Sequence, residues 1–373
     1  MEFIDTRIGM MATKIFVFIA ITISVTAILS GVNLIPGNIS TTIQVLLTMP
    51  PLILLLYLND RFSVSFILTF VMSVLICIVN EAPYMISGTM MITFIYVLNT
   101  IPNINYQKIL KWLTFTMFIL FVSFVFINLV TGWGSNNYEM WRINGYIYRK
   151  SLGFSQPNIT MMLWLSCILS LYSLDMKMER LTSIFIGVTT YIIYTQTQSR
   201  TSTYIIVFAC FVSILIGNHI YDRLGKTVSK LISLLPILAL LISIYALFHS
   251  YSLGLDSILS GRLSLYQQFY STYGIHFLKT PQLENAMFDN GYLQALLAKG
   301  IIFTVQLLCI LILIGWKVTQ MRIKDMLLFG MYIAIGFTET ALQHFELFLP
   351  VVILMAQSNN MMQEDRYEHT INK

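Results

Sequence analysis

Apolar runs of about twenty residues recur along the chain and are separated by short polar breaks. A helix needs about 20 largely apolar residues to cross the hydrocarbon core of a bilayer. In lipid, every backbone N–H and C=O must be satisfied within the spanning element, and a helix achieves this by itself. The runs therefore predict membrane-spanning helices with no soluble domain between them. About twelve runs meet this condition, near 13–31, 39–58, 62–80, 84–101, 110–131, 157–174, 181–198, 201–217, 231–249, 292–316, 325–340 and 344–360.

The composition agrees with this interpretation. Hydrophobic residues make up 57% of the 373 residues and charged residues only 10%, whereas soluble domains carry roughly a quarter charged residues. We therefore predict an all-α polytopic membrane protein, formed by one integral membrane domain over residues 1–373 with about 12 transmembrane helices. Two longer polar loops, about 132–156 and 250–291, interrupt the apolar runs.

The distribution of lysine and arginine predicts the orientation of the chain, because basic residues gather on the cytoplasmic side of membrane spans. With a cytoplasmic N-terminus, about fifteen of the 22 basic residues fall on the cytoplasmic side and about six on the outer side, while Lys299 stays unassigned. Both termini are therefore predicted to be cytoplasmic and both longer loops external. The net charge of +5 then reflects orientation, and no basic face suggests a nucleic-acid partner.

Arginine predominates among the basic residues of the outer side, where topology disfavours positive charge. A guanidinium group binds phosphate oxygens through paired hydrogen bonds and stays charged when partly desolvated. Arg142 and Arg149 are seven residues apart, which would place them on nearly the same face of a helix, and Arg200 lies in a short turn between two runs. The pattern predicts a lipid diphosphate at the outer interface. For each arginine, snorkelling to lipid headgroups is the structural alternative. The external basic residues are Arg142, Arg149, Lys150, Arg200, Arg262 and Lys279.

Several ionisable residues of the outer side could transfer protons. Asp289 directly precedes an apolar run, where partial burial would raise its pKa towards the range of a general base; the alternative is that Asp289 and Asn290 cap the following helix. Glu339 lies in the break between the last two runs, and His276 lies in the large external loop. Tyrosines such as Tyr292 suit either sugar stacking or an interfacial belt. Neither a metal-ligand spacing nor a Gly-rich phosphate loop is visible, so no metal and no cofactor is predicted.

Three motifs follow one another in residues 130–340. Residues 149–154 (RKSLGF in one-letter code) and 156–158 (QPN) precede one run, and 197–202 (TQSRTS) lies between two runs. Residues 289–292 (DNGY) end the large external loop, with Gly300 in the run that follows. In order and in topological position these pieces resemble the Wzy-type polysaccharide polymerases and the related O-antigen ligases.

The resemblance implies a GT-C-like membrane glycosyltransferase at the outer face of a bacterial plasma membrane. Such an enzyme joins undecaprenyl-diphosphate-linked oligosaccharide repeat units into capsule, exopolysaccharide or O-antigen by inverting glycosyl transfer. A flippase and a chain-length regulator of the same pathway are the implied protein partners, and membrane lipid surrounds the chain. No nucleotide is implied, because the lipid diphosphate is itself an activated leaving group.

Carried over residue by residue, Arg149, Arg200 and Arg262 match the arginines that the family uses near the diphosphate. In the ligases the last motif usually begins with histidine, and Asp289 in that place favours the polymerase. We predict catalytic roles for Asp289, Arg200 and Arg262. The substrate-binding residues that we predict are Arg142, Arg149, Tyr292, His276 and Glu339.

Two other functions stay open at this point. A ligase would transfer the finished glycan to a different acceptor. A polysaccharide flippase or exporter would also be polytopic and rich in arginine, but its charges would line the spans at mid-membrane depth. The apolar runs of this chain are nearly free of charge, which favours the glycosyltransferase.

Overall fold

The structure is a computed structural model. It describes residues 2–58, 63–134, 137–142, 145–176, 179–249, 254, 256, 261–284, 286 and 288–371. About 77% of the chain is helical, which agrees with the predicted all-α class.

The first part of the chain forms helices that follow the predicted apolar runs. They are α1 (Glu2–Gly31), α2 (Gly37–Leu46), α3 (Met49–Leu58), α4 (Val64–Val79), α5 (Ser87–Thr100) and α6 (Tyr106–Thr131). One predicted run, 39–58, is divided between α2 and α3. Pro50 and Pro51 directly follow the start of α3, and because proline lacks an N–H group it is tolerated in the first turn of a helix but not in its interior.

The remaining helices follow the loop at about 132–156. They are α7 (Pro157–Ser173), α8 (Glu179–Thr197), α9 (Arg200–Ile216), α10 (Lys226–Ser233), α11 (Leu235–Phe248), α12 (Arg262–Tyr273), α13 (Gly291–Leu293), α14 (Ile301–Trp316), α15 (Ile323–Ile335) and α16 (Phe345–Ile371). A π-helical turn, Gln294–Ala298, joins α13 to the segment before α14.

Three helical segments of the described chain are long and apolar enough to cross a membrane: Thr6–Gly31, Tyr106–Thr131 and Arg200–Tyr221. The pair Lys226–Ser233 and Leu235–Phe248, bent by 41°, counts as a fourth if it is one broken span. These helices indicate a membrane protein. Their outward faces carry large apolar side chains, such as Phe126 and Phe208, each of which is 63% exposed. A soluble monomer rarely exposes an apolar surface of this extent.

The loop after α6 contains a β-hairpin, which the sequence analysis did not predict. Its strands, β1 (Asn137–Arg142) and β2 (Gly145–Lys150), pair antiparallel. The helical interpretation of Arg142 and Arg149 is therefore wrong. Arg142 is the last residue of β1, next to the tip of the hairpin, whereas Arg149 pairs with Tyr138 near the base.

Helix α16 forms the centre of the bundle. Leu347, Phe348, Leu349 and Val351 are fully buried, and α16 packs against α5, α6, α7 and α15. Because residues 347–356 of this helix are apolar on all sides, this part can lie inside the protein with no face left for lipid or water. The turn that precedes α16 is consequently held in a fixed place relative to the surrounding helices.

A buried network of charges holds one end of the bundle together. Lys324, at the start of α15, lies 3.3 Å from the carboxylate of Asp175 and 3.7 Å from that of Glu179. Its neighbour Arg322 lies 3.1 Å from Asp325. The hydroxyl of Tyr221 donates to Glu179 at 2.6 Å. The network therefore joins the end of α7 to the starts of α8 and α15.

We expect Lys324→Met to lower the free energy of unfolding by about 3 kcal/mol, because removal of one partner from a buried ion pair leaves a buried charge without compensation. Thermal unfolding of the detergent-purified protein measures the change. The control is Lys226→Met, which removes an exposed lysine and should leave the melting temperature almost unchanged. Equal melting temperatures for both variants would contradict a stabilising role of the network.

Candidate functional site

A cavity of about 630 Å³ lies at the other end of the bundle from the charged network. Helix α7 reaches from one to the other, since its start lines the cavity and its 17 residues span about 25 Å. The end of α1, the start of α2 and the turn before α16 also form its walls. Its volume is that of a small-molecule site. The polar and charged lining residues are Ser30, Ser40, Tyr84, Ser87, Gln156, Asn158, Asp289, Gln294, Lys299, Glu339, Thr340, Gln343, His344 and Glu346.

Arg262 and Asp289, which lie 27 positions apart in the sequence, form an ion pair in this region. The Nε of Arg262 lies 2.9 Å from a carboxylate oxygen of Asp289, and both side chains are partly exposed. Arg262 is the first residue of α12, whose first turn is held by Asp256: the carboxylate of Asp256 accepts from the N–H of Leu263 at 2.9 Å and of Ser264 at 3.2 Å. The carboxylate of Asp289 is therefore already engaged by a cation.

The sequence analysis gave helix capping by Asp289 and Asn290 as an alternative role. In the structure it is Asn290 that caps the helix. Its side-chain oxygen accepts from the N–H groups of Tyr292 at 3.0 Å and Leu293 at 2.9 Å, and its amide nitrogen donates to Ser243 at 3.0 Å. Asparagine is among the best residues for this position. Because Asn290 caps α13, the carboxylate of Asp289 is free to point to the cavity and to Arg262.

Gly291 brings Asp289 and Glu339 close to each other. Its N–H donates to the carbonyl of Gly336 at 2.7 Å. A Cβ at position 291 would lie 3.1 Å from the carbonyl oxygen of Glu339, so a larger residue would push the two segments apart. The absence of a side chain at Gly291 thus permits the close approach that places both acids at one cavity.

Glu339 has the properties of a proton-transferring group. It lies between α15 and α16, outside both helices, and one carboxylate oxygen accepts from the hydroxyl of Thr201 at 3.3 Å. Burial, and then the negative charge of Asp289, raises the pKa of Glu339 to about 7, against the opposing effects of Arg262, Thr201 and Arg149. A carboxyl group with this pKa is half deprotonated at neutral pH, as an efficient general base requires.

Arg149 connects the hairpin to two helices near Glu339. It is only 8% exposed. Its Nε donates to the carbonyl of Thr197 at 2.8 Å, and its Nη2 donates to the side-chain oxygen of Asn158 at 2.6 Å. Its Nη1 also donates to the sulfur of Met140 at 3.3 Å. Arg149 thus both fixes the end of α8 and adds positive charge beside Glu339.

Arg200 is the exposed first residue of α9. It follows Gln198, whose φ of +51° lies in the left-handed region and makes the turn between α8 and α9 tight. Arg200 has no hydrogen-bond or ion-pair partner among the described residues, and the next residue, Thr201, is the one that contacts Glu339. The turn therefore places the exposed Arg200 next in sequence to the residue that contacts the candidate base.

Of the predicted site residues, Asp289 and Glu339 line the cavity, whereas Arg149, Arg200 and Arg262 lie outside its lining. Tyr292 and His276 are also absent from it. Tyr292 is 1% exposed and its hydroxyl donates to the carbonyl of Ile333 at 3.0 Å, so the prediction that it binds substrate is wrong because the ring belongs to the core. His276 is exposed, and its Nε2 lies 2.6 Å from the carbonyl of Tyr273 instead of at the cavity wall. The side chain of Arg142 lies outside the described part of the structure.

The cavity also contains charged residues to which the sequence analysis gave no role. Lys299 lines it between the π-helical turn and α14. His344 and Glu346 form a pair in which Nδ1 lies 2.8 Å from a carboxylate oxygen. Each of the three interrupts an apolar run. Such an interruption was the available signal, because ionisable residues at membrane depth are functional candidates.

Comparisons with known proteins do not assign the chain to a family. No protein-family model, no curated protein and no solved structure matches it. The resemblance to the polymerases rests on the three motifs alone. Residues of all three, namely Arg149, Asn158, Thr201 and Asp289, lie at the cavity or contact Glu339 and its surroundings.

Proposed function

We propose that the protein is a membrane glycosyltransferase that polymerises lipid-diphosphate-linked oligosaccharide repeat units at the outer face of a bacterial plasma membrane. The observation that carries the proposal is the charge arrangement at the cavity: Glu339, with a pKa of about 7, lies near Arg149 and the Arg262–Asp289 pair. Inverting glycosyl transfer from a lipid diphosphate requires a base for the acceptor hydroxyl and cations for the departing diphosphate.

A twelve-span topology with both termini in the cytoplasm is part of the proposal. Pairs of consecutive helices would then each form one broken span: α2 with α3, and α10 with α11. The short helix α13, the π-helical turn and α14 would form a third. In this topology the cavity lies at the outer side, because the ends of α1, α6 and α8 and the starts of α7 and α9 all face that side.

The reaction follows from these groups. The non-reducing-end hydroxyl of one lipid-linked repeat unit attacks the anomeric carbon of the glycan on a second lipid carrier. A new C–O bond forms with inversion, the bond from the anomeric carbon to the diphosphate oxygen breaks, and its electron pair leaves on the diphosphate. Glu339 accepts the hydroxyl proton. Positive groups placed before the reaction stabilise the charge that develops on the leaving group.

The arginines contribute in different ways. Arg200 has no partner among the described residues and can offer its whole guanidinium group to phosphate oxygens. Arg262 keeps Asp289 neutralised and retains further N–H donors beyond the 2.9 Å contact. Asp289, predicted as the base, instead acts as the counterion of Arg262, and Glu339 takes over the role of base.

Deletion of the gene tests the function directly. We expect the surface glycan to lose its long polymer while single repeat units remain, and wild-type protein should restore the long chains. The measurement is electrophoresis of the surface glycan together with analysis of the lipid-linked intermediates. Full-length polymer that accumulates on the lipid carrier would support the ligase instead. Unchanged glycan would contradict both enzymes and favour transport.

A further inference from the structure

Lys299 is a partly buried cation that has no acidic partner among the described residues. Its Nζ donates to the side-chain oxygen of Gln343, a neutral group. It lies 5.3 Å from the ring centre of Tyr84 and 5.1 Å from that of Phe303. These contacts stabilise a positive charge in part, but they do not neutralise it. The ammonium group lines the cavity, where an incoming anion can reach it.

Three other cations in or near the cavity wall are already engaged, and Arg200 is not among the residues that line the cavity. Arg262 is paired with Asp289 at 2.9 Å, and His344 is paired with Glu346 at 2.8 Å. Arg149 donates to two oxygens of the protein. A charge held away from water is costly unless it is paired. Lys299 is therefore the cation of the cavity wall for which the described protein supplies no counterion.

The backbone fixes the position of Lys299. The N–H of Lys299 donates to the carbonyl of Gln294 at 3.2 Å, which closes the π-helical turn. The following Gly300 has a φ of +92°, and a Cβ there would lie 2.5 Å from the carbonyl oxygen of Leu278. Only glycine fits this close approach. Single π-helical turns are frequent at functional sites, and this one holds the ammonium group against the cavity.

The start of α14 cannot bind an anion in place of the lysine side chain. The N–H of Ile301 donates to the carbonyl of His276 at 2.9 Å, and that of Ile302 to the carbonyl of Phe277 at 3.3 Å. The first two N–H groups of this helix are therefore already used. An anion at this wall depends on the side chain of Lys299.

We propose that Lys299 binds the phosphate oxygens of a phosphate or diphosphate ester that enters the cavity, with the amide of Gln343 beside it. An apolar group next to the phosphate also fits, because Ile159, Met162 and Leu163 line the same cavity. The identification of this ester as the diphosphate of the lipid carrier rests on the proposed function. In that case Lys299, as well as the arginines, neutralises the leaving group.

Binding to the detergent-purified protein tests this site. Calorimetric titrations use farnesyl diphosphate, inorganic pyrophosphate and farnesol. We expect Lys299→Gln to weaken the binding of farnesyl diphosphate at least tenfold. The matched control is Lys279→Gln, because Lys279 is absent from the cavity lining and donates to the carbonyl of Glu81; the affinity of this variant should stay within twofold of wild type. Farnesol should bind equally to all variants.

A second variant tests the site even if Lys299→Gln does not fold. Gln343→Glu retains the lysine and gives it a carboxylate at an existing contact, so the new internal ion pair should compete with the ligand and weaken binding about tenfold. Lys299-dependent binding of pyrophosphate as well indicates a site for phosphate in general, and binding of the farnesyl ester alone indicates a lipid-linked ligand; both outcomes support the proposal.

Two outcomes would overturn it: equal affinity of wild type, Lys299→Gln and Gln343→Glu for farnesyl diphosphate, or no binding of either anion to the wild type. The titrations contain no glycan acceptor, and they are therefore separate from the test of the proposed function. If gene deletion leaves the glycan unchanged while Lys299-dependent binding persists, the phosphate site stands and the polymerase is wrong.

Discussion

Glu339→Gln is expected to reduce polymerisation at least about 100-fold, the size of effect associated with loss of a positioned general base. The amide can still accept the hydrogen bond that Thr201 donates to Glu339 at 3.3 Å, but it cannot take up a proton. Turnover of purified lipid-linked repeat units in detergent or liposomes measures the loss. The melting temperature should stay near that of wild type, because the variant preserves size and hydrogen bonding. Activity within tenfold of wild type would exclude Glu339 as the base.

The pH dependence of the wild-type rate supports the same assignment. A base with a pKa of about 7 is protonated below that pH, so the rate should rise about tenfold per pH unit up to about pH 7 and level off above it. Asp289→Asn should move the inflection to lower pH. The negative charge of Asp289 helps to raise the pKa of Glu339, and its removal also releases Arg262, which lowers that pKa. An inflection unchanged in Asp289→Asn would contradict the coupling between the two acids.

The helices were predictable from the sequence because a lipid environment leaves the backbone of a long apolar run few other structures. A long apolar run can satisfy its backbone in a membrane only as a helix, and every predicted run corresponds to one or two observed helices. The β-hairpin was not predicted, although Asn144-Gly145 between alternating residues is a strong hairpin signal. The spacing of Arg142 and Arg149 fits a helix as well, and the helical interpretation disregards the alternation. Twelve crossings stay a prediction, because in the described part of the chain three helical segments, or four with the bent pair, are long and apolar enough to span a membrane.

The sequence predicted which residues belong to the site better than it predicted the role of each residue. The sequence suggested Arg262, Asp289 and Glu339, but it could not show that Arg262 and Asp289 neutralise each other across 27 positions. The burial of Glu339 near Asp289 depends on how closely α13 approaches the turn before α16. No local sequence pattern predicts that distance. The sequence did not point to Lys299 for the same reason. That this lysine has no counterion among the described residues is visible only when the fold is known.

Arg149→Lys should lower both activity and stability, although the substitution keeps the positive charge. A lysine has a single nitrogen and cannot place donors at both the carbonyl of Thr197 and the side chain of Asn158, which Arg149 reaches at 2.8 Å and 2.6 Å. One buried acceptor would lose its partner, at a cost of about 1–3 kcal/mol in stability. We also expect at least tenfold lower activity, because Thr197 begins the turn that presents Arg200 and Thr201.

Melting temperature and turnover of the purified variant distinguish these effects, and the neighbouring residue provides the control. Lys150 is exposed, so Lys150→Gln should alter neither quantity much. Asn158→Ala removes only one of the two contacts of Arg149, and its activity should therefore lie between those of wild type and Arg149→Lys. If Arg149→Lys melts like wild type but is inactive, the guanidinium group contacts the substrate directly. If it is both stable and active, charge alone suffices at this position, and the two-pronged contact with the end of α8 and the start of α7 has no part in catalysis.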